Sequence, residues 1–195
     1  MQNNNLAYLD HIVKAALESV SFGYAIFLLA PGAKVPRAGT HGKWVERGMT
    51  DEQEIRSAFL ADPTANYGIA LTEYDLVIDC DPKNYPPAYD SDKDDLTVMV
   101  PDEEKIPTKR HNVMLDILAE CPALYQTRIV HTPSNGWHFY LKKPWQDVIA
   151  KKNPKYPGVD FLSVGNLVVG PGSCRHGNYY TLVESKRALE IKANG

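Results

Sequence analysis

Cysteine is scarce in this chain of 195 residues: Cys80, Cys121 and Cys174 are the only three. Odd in number, widely spaced and never arranged as C-x-x-C, they exclude a disulfide framework and a closed four-ligand zinc site, and they suit a reducing compartment. Long hydrophobic runs are also missing, since no stretch approaches the roughly 18 apolar residues that a membrane span requires. Residues 1–11 (MQNNNLAYLDH) have neither the basic start nor the apolar run of a signal peptide. The expectation is a cytoplasmic protein with no membrane contact. An excess of one charge is absent as well: 21 Lys and Arg against 24 Asp and Glu leave a net charge of −3. Without a global basic bias, any site for an anion must be a local patch. No G-x-x-x-x-G-K-[ST] sequence occurs, so no Walker-type phosphate-binding loop is expected.

What is present describes an ordinary globular chain, with 44% hydrophobic, 23% charged and 10% aromatic residues, long enough for one domain over residues 1–195 with a sizeable core. Leu6, Leu9, Ile12, Val13, Ala16, Leu17 and Val20 recur at helical spacing and predict an amphipathic helix that ends at Ser21-Phe22-Gly23. Tyr24–Ala30 is a short apolar run closed by Pro31-Gly32 and predicts a buried strand. Thr50 with Gln53 is a capping-box pattern ahead of the stripe Ile55, Ala58, Phe59 and Leu60, which Asp62-Pro63 terminates. Tyr67–Leu71 and Leu76–Cys80, separated by a polar turn, are expected to pair as an antiparallel hairpin. Asn84–Lys109 is acidic and proline-rich without a long period, and reads as an excursion from the core. A third helix is expected over His111–Leu124. Strands follow at Thr127–Thr132, Trp137–Leu141, Val159–Ser163, Asn166–Val169 and Tyr179–Val183. The sum is an α+β fold, mostly antiparallel sheets with flanking helices.

Chemistry is most concentrated in Leu76-Val77-Ile78-Asp79-Cys80-Asp81, an apolar strand ending in carboxylates at i and i+2. Residues so spaced on a strand share a face, so Asp79 and Asp81 can aim at one point beyond the apolar run. Read one way, their mutual repulsion calls for a hard cation such as Mg²⁺ or Mn²⁺; read the other, they are solvated residues at a strand end. Thr132-Pro133-Ser134-Asn135-Gly136-Trp137-His138 lies between two strands and is either a loop whose N–H groups cradle phosphate beside His138 or a plain hairpin turn. Asp160, with Val159 and Phe161 on the opposite strand face, is a third carboxylate or an exposed strand residue. Lys34 and Arg37 place two cations in a proline-stiffened loop, fit for a triphosphate or a template backbone, or simply solvated. Residues 90–101 briefly resemble a calcium loop, but Asp95 replaces its glycine and Pro101 its final glutamate, which rejects the match.

Taken in order, these segments resemble the bifunctional DNA primase/polymerase (prim-pol) domain of the archaeo-eukaryotic primase superfamily. The resemblance rests on Gly23-Tyr24-Ala25-Ile26-Phe27 with Pro31–Arg37, on Ala65–Ala70 leading into Leu76–Asp81, on Thr132–Tyr140, on Gly158-Val159-Asp160-Phe161, and on Gly170-Pro171-Gly172-Ser173 with Gly177 and Tyr179. It spans roughly Ala15 to Leu182. The superfamily's second motif is often Ser-x-His, whereas Gly136-Trp137-His138 stands here, and the zinc-binding insertion of some relatives has no counterpart. The resemblance implies a split RRM-like catalytic core that performs template-directed nucleotidyl transfer from dNTPs or NTPs on single-stranded DNA. It implies two divalent ions, Mg²⁺ or Mn²⁺, on Asp79, Asp81 and Asp160, nucleotide contacts from His138, Ser134, Asn135, Gly136, Lys34, Arg37, Ser173 and Arg175, and, where a helicase takes part, that helicase as a separate partner. Two readings of other classes compete with it: a noncatalytic single-stranded nucleic-acid-binding or replication-initiation module, and a metal-dependent nuclease, for which paired carboxylates also serve.

Overall fold

Apolar residues at intervals of three and four draw the first helix, α1 (Gln2–Ser21), onto the body of the molecule, where Ile12 and Ala16 are fully buried. In this computed structural model the described residues are 2–36, 48–101, 107–147, 149–184 and 186–191. The second helix, α2 (Glu52–Ala61), begins one residue later than the Thr50 pattern suggests: Asp51 is the N-cap, its carboxylate accepting the Glu54 N–H at 2.8 Å. Ile55 and Phe59, four apart, are the buried face of that helix. The third, α3 (Val113–Glu120), is shorter than the expected span, because Pro122 diverts the chain into a 3₁₀ turn over Pro122–Gln126.

Strands in chain order are β1 (Ala25–Leu29), β2 (Asn66–Ala70), β3 (Asp75–Cys80), β4 (Thr97–Pro101), β5 (Pro107–His111), β6 (Arg128–His131), β7 (Trp137–Lys142), β8 (Val159–Leu162), β9 (Leu167–Val169), β10 (Cys174–Arg175), β11 (Asn178–Tyr179), β12 (Thr181–Glu184) and β13 (Leu189–Glu190). With the three helices they form the expected α+β fold. One sheet runs β1-β2-β9 and the other β12-β6-β7-β3-β8, with β13 added parallel to the end of β7; all other pairs are antiparallel. The expected hairpin between Tyr67–Leu71 and Leu76–Cys80 does not form. The turn between them carries the chain from the smaller sheet to the larger, and each strand finds its partners elsewhere.

Asp75, only 1% exposed, makes that crossing possible. One carboxylate oxygen accepts the Thr72 N–H at 2.8 Å and the Thr72 hydroxyl at 2.7 Å, while the other accepts the Lys142 ammonium from β7. Turn and ladder are thereby locked to one charge.

The larger sheet has an apolar core on each side. Toward the smaller sheet, Val77, Val130, Tyr140 and Leu162 pack with Ile26, Tyr67, Ile69, Val168 and Val169. On the reverse side Ile78, Cys80, Phe139 and Val159 pack with Val113, Ile117 and Leu118 of α3. The alternation of β3, β7 and β8 divides their residues between these two cores. The acidic segment is more closely tied to the body than expected: Tyr85 is buried in the second core, and β4 and β5 form a hairpin at its end. His111, closing β5, sits between Asp92 at 3.0 Å and Asp116 at 2.7 Å. Partial burial lowers its pKa, but the two carboxylates outweigh that and raise it overall. Among the described residues no helix is long and apolar enough to cross a membrane.

Replacing Asp75 by Ala strands the Lys142 ammonium and frees two donors at Thr72, so it should cost about 3 kcal/mol in a urea unfolding experiment. Asp75→Asn, which keeps an acceptor for Thr72, should cost less. Equal losses for the two variants would show that Asp75 does not act through these bonds.

Candidate active site

A single transverse row of residues crosses the larger sheet on the side that faces the smaller one. Leu182 of β12 stands opposite Val130 of β6, Val130 opposite His138 of β7, His138 opposite Asp79 of β3, and Asp79 opposite Asp160 of β8. Beyond the edge strand, Lys152 bridges antiparallel to Asp160 and extends the row by one place. Residues directly opposite in a ladder share a face, so His138, Asp79, Asp160 and Lys152 present their side chains side by side. The row begins apolar and becomes charged where the core between the sheets opens.

At that opening lies a cavity of about 340 Å³ lined by Lys34, Asp79, His138, Lys151, Asp160 and Tyr180, with Leu162 and the β9 residues Leu167, Val168 and Val169 as its apolar wall. Lys34 arrives from the turn after β1, which the Ala33 N–H to Ala30 carbonyl bond closes and the bridge between Leu29 and Pro36 returns to the sheet. Its pKa is lowered, chiefly by partial withdrawal from water and further by Arg175 and Lys83, against the pull of Asp79 and Asp81.

Asp81 continues the face of Asp79 just past the end of β3. One of its oxygens pairs with Lys83 at 2.9 Å; the other, Oδ1, is buried with no hydrogen-bond partner. Asp160 is paired with Lys151 at 3.4 Å and, more closely, with Lys152. Three carboxylates lie around one strand end, and Asp81 carries an unspent buried oxygen; as hard oxygen donors they suit the chemistry of a divalent cation. With lysines on two of them, no group of three His, Cys, Asp or Glu side chains is gathered into a ligand sphere among the described residues.

His138 is almost wholly buried. Its Nε2 lies 3.5 Å from an Asp79 oxygen and its Nδ1 has no partner. Burial lowers its pKa and Lys34 adds to that, outweighing Asp79 and Asp81, so the imidazole is neutral at pH 7. Its ring packs 6.0 Å from that of Tyr180. The Tyr180 pKa is pushed up to about 12, first by burial and then by Asp79 and Asp81, with the nearby Arg175 guanidinium pulling it down. Arg175 is thus close enough to act on the site electrostatically.

Two glycines let loops close on these carboxylates. A Cβ on Gly136 would stand 2.5 Å from the Cys80 carbonyl oxygen, and one on Gly158, at φ +84°, would stand 2.2 Å from that of Asn84. The first brings the Thr132–Gly136 loop against Asp81; the second seats β8, and so Asp160, beside the segment that follows it. Within the loop the N–H groups of Asn135 and Gly136 are already spent on the Thr132 carbonyl and hydroxyl, so it offers outward the exposed side chains of Ser134 and Asn135. Ser173 is not brought to the cavity: it is fully buried, its hydroxyl accepting the Tyr67 N–H of β2 at 3.2 Å. Arg37 lies outside the described residues. Sequence reasoning overlooked Tyr180, Lys83, Lys151 and Lys152. Only Lys83, two residues after Asp81, carried a local signal.

In metal-free protein titrated by NMR, His138 should show its midpoint below the ordinary histidine value of 6.5 and His111 above it. A His138 midpoint at or above 6.5 would contradict this account of the site. The two histidines act oppositely on stability. Because folded His138 resists a proton that the unfolded ring accepts, it lowers stability as the pH falls below about 6.5. His111 adds stability at low pH, which is lost as the pH rises through its raised folded value.

A comparison with curated proteins finds no match to this chain. The family described as "Bifunctional DNA primase/polymerase, N-terminal" matches residues 16–193, which include every strand and all the carboxylates of the row. Together with the resemblance carried by the Leu76–Asp81, Thr132–Tyr140 and Gly158–Phe161 motifs, this coverage establishes that the chain belongs to the Prim-Pol family, whose activity is of the DNA primase/polymerase, nucleotidyltransferase type.

Proposed function

We propose that this chain transfers nucleotidyl groups from dNTPs or NTPs to a growing strand on a single-stranded DNA template, with Asp79, Asp81 and Asp160 as the carboxylates of a two-ion centre. The observation that carries the reading is the row His138, Asp79, Asp160 on three adjacent strands at the mouth of a cavity edged by Lys34. In the reaction the primer 3′-oxygen bonds to the α-phosphorus, the bond from that phosphorus to the pyrophosphate oxygen breaks, and the hydroxyl proton passes to solvent. Divalent ions held by the three carboxylates would supply the Lewis acidity that favours the alkoxide and the positive charge that offsets the departing pyrophosphate.

The protein's own groups bind and orient. His138, neutral and buried, offers one N–H to a phosphate oxygen without adding charge beside Asp79. Lys34 and Arg175 bring positive charge to the polyphosphate, and Tyr180 holds the imidazole plane in place. The apolar wall of Leu162, Leu167, Val168 and Val169 suits the sugar and base rather than the phosphates. Ser134 and Asn135, beside Asp81, are placed to meet the chain end or the nucleotide. A purely binding module gains nothing from this arrangement, since carboxylates gathered beside phosphate weaken attraction to nucleic acid.

Labelled nucleotide incorporation on single-stranded DNA, with and without an annealed primer, tests the reading in Mg²⁺ or Mn²⁺. Wild type should lengthen DNA only with metal, and Asp79→Ala and Asp160→Ala should fall to background while melting as the wild type does. Shorter products would indicate a nuclease; strand binding with no product would indicate the noncatalytic module; full activity in either variant would overturn the assignment of its carboxylate.

A further inference from the structure

Asp160 is the one carboxylate of the row that already holds cations, and both come from a short segment whose role the family match leaves open. Residues 151 and 152 lie along the outer edge of β8: the Phe161 N–H donates to the Lys151 carbonyl at 2.8 Å, and Lys152 is bridged to Asp160. This strap closes the edge of the sheet and sets two ammonium groups on one carboxylate, Lys151 at 3.4 Å from Oδ2 and Lys152 against Oδ1. Lys151 also lines the cavity. Yet the two lysine side chains are 55% and 63% exposed, whereas Asp160 is 22% exposed. The carboxylate is fixed by the sheet; the lysines are long, solvated and free to turn. Ion pairs of this exposure are weak, so they hold the ammonium groups in place without binding them there.

Resting on the reading above, we infer that Lys151 and Lys152 are ligands of the nucleotide's polyphosphate, kept in waiting on Asp160 until a divalent cation takes their place. Charge balance drives the exchange. A cation arriving at Asp160 repels the two ammonium groups, and the phosphates that accompany it present new anionic partners within reach of the same side chains. The strap thus neutralises the carboxylate in the empty protein and contributes positive charge to the substrate in the filled one. Lys83 on Asp81 has the same form, but its segment is not paired to a strand of the row and its partner keeps a second, unspent oxygen.

Opposite effects on metal and nucleotide make this testable with the double variant Lys151→Ala/Lys152→Ala. Calorimetric titration of Mn²⁺ alone into nucleotide-free protein should show binding about three- to tenfold tighter than wild type, because two competitors for Asp160 are gone. In primer extension the KM for the nucleotide should rise about tenfold with kcat little changed. Lys151→Arg/Lys152→Arg should restore the KM, and Lys155→Ala, which removes an exposed charge paired with Glu120 three residues further on, should alter neither quantity. A cooperative melting transition in each variant establishes that it is folded. Unchanged or weaker Mn²⁺ binding, or an unchanged KM, in a double variant of an active wild type overturns the inference and leaves the polymerase reading standing. A wild type that neither binds Mn²⁺ nor incorporates nucleotide overturns both.

Discussion

Asp79 and Asp160 stand directly opposite each other in the β3–β8 ladder, and this like-charged pair is the constraint to which the surrounding structure answers. Cross-strand partners have Cα atoms about 4.5–5.5 Å apart, so two carboxylates in those places repel and destabilise the pairing. Neither can retreat. Asp79 is flanked on its other side by β7, and β8 is held between β3 and the strap. Relief must come as positive charge, and it does, from Lys151 and Lys152 on Asp160 and from Lys34 across the cavity mouth. Under the proposed function, a centre built this way would favour a species that brings cations to the carboxylates and anions to the lysines together, as a metal–polyphosphate complex does.

The two sheets divide the labour of holding it. The larger supplies the row itself, on strands whose neighbours on both sides fix their register. The smaller supplies the apolar wall through β9 and, from the end of β1, the turn that carries Lys34. Separation of the sheets depends on Asp75, which anchors the turn where the chain leaves one for the other, and α1 is tied to the larger sheet by Arg128. That guanidinium is fully buried, 3.3 Å from the Ser19 hydroxyl and lying over the rings of Phe22 at 4.9 Å and Tyr140 at 5.9 Å. Its Nε and Nη1 are left without hydrogen bonds, so aromatic faces and the nearby Glu18 carboxylate offset part of its desolvation. Tyr140 thus meets a charge on one side of the row and, through the 6.3 Å contact of its ring with His138, the site on the other.

Much of this could be read from the sequence, and the pattern of what could not has a physical reason. Elements defined by local periodicity, such as α1, α2, β3 and β7, lie close to where spacing puts them, because burial of one face is a local property. So are Asp79 and Asp81, two residues apart on one strand. The partners of β2 and β3 were not legible: a polar four-residue turn suits a hairpin as well as a crossing between sheets, and only the buried Asp75–Lys142 pair, 67 residues apart, decides between them. Tyr180 and the strap lysines were hidden for the same reason, since their meaning comes from β12 and the outer edge of β8, not from their neighbours in the chain. Ser173 shows the converse. The family resemblance implied a nucleotide contact for Ser173, whereas its hydroxyl is spent on the β2 backbone.

His138 is 6% exposed while Asp79 and Asp160 are 27% and 22% exposed, and this difference explains why neighbours in one row differ in charge. At the buried end His138 holds a proton less readily than an ordinary imidazole, because desolvation outweighs the two aspartates beside it. Were it protonated, an imidazolium 3.5 Å from Asp79 would pair with that carboxylate and compete with any cation for it. In its neutral form it leaves the charge of Asp79 uncompensated; under the function proposed above it would donate an N–H to phosphate while a cation meets that charge. At the open end the opposite applies: Asp160 is met by lysines that water can replace, so its charge is balanced but not consumed. One ladder of residues therefore leads from a buried imidazole through two partly exposed carboxylates to a pair of exposed lysines.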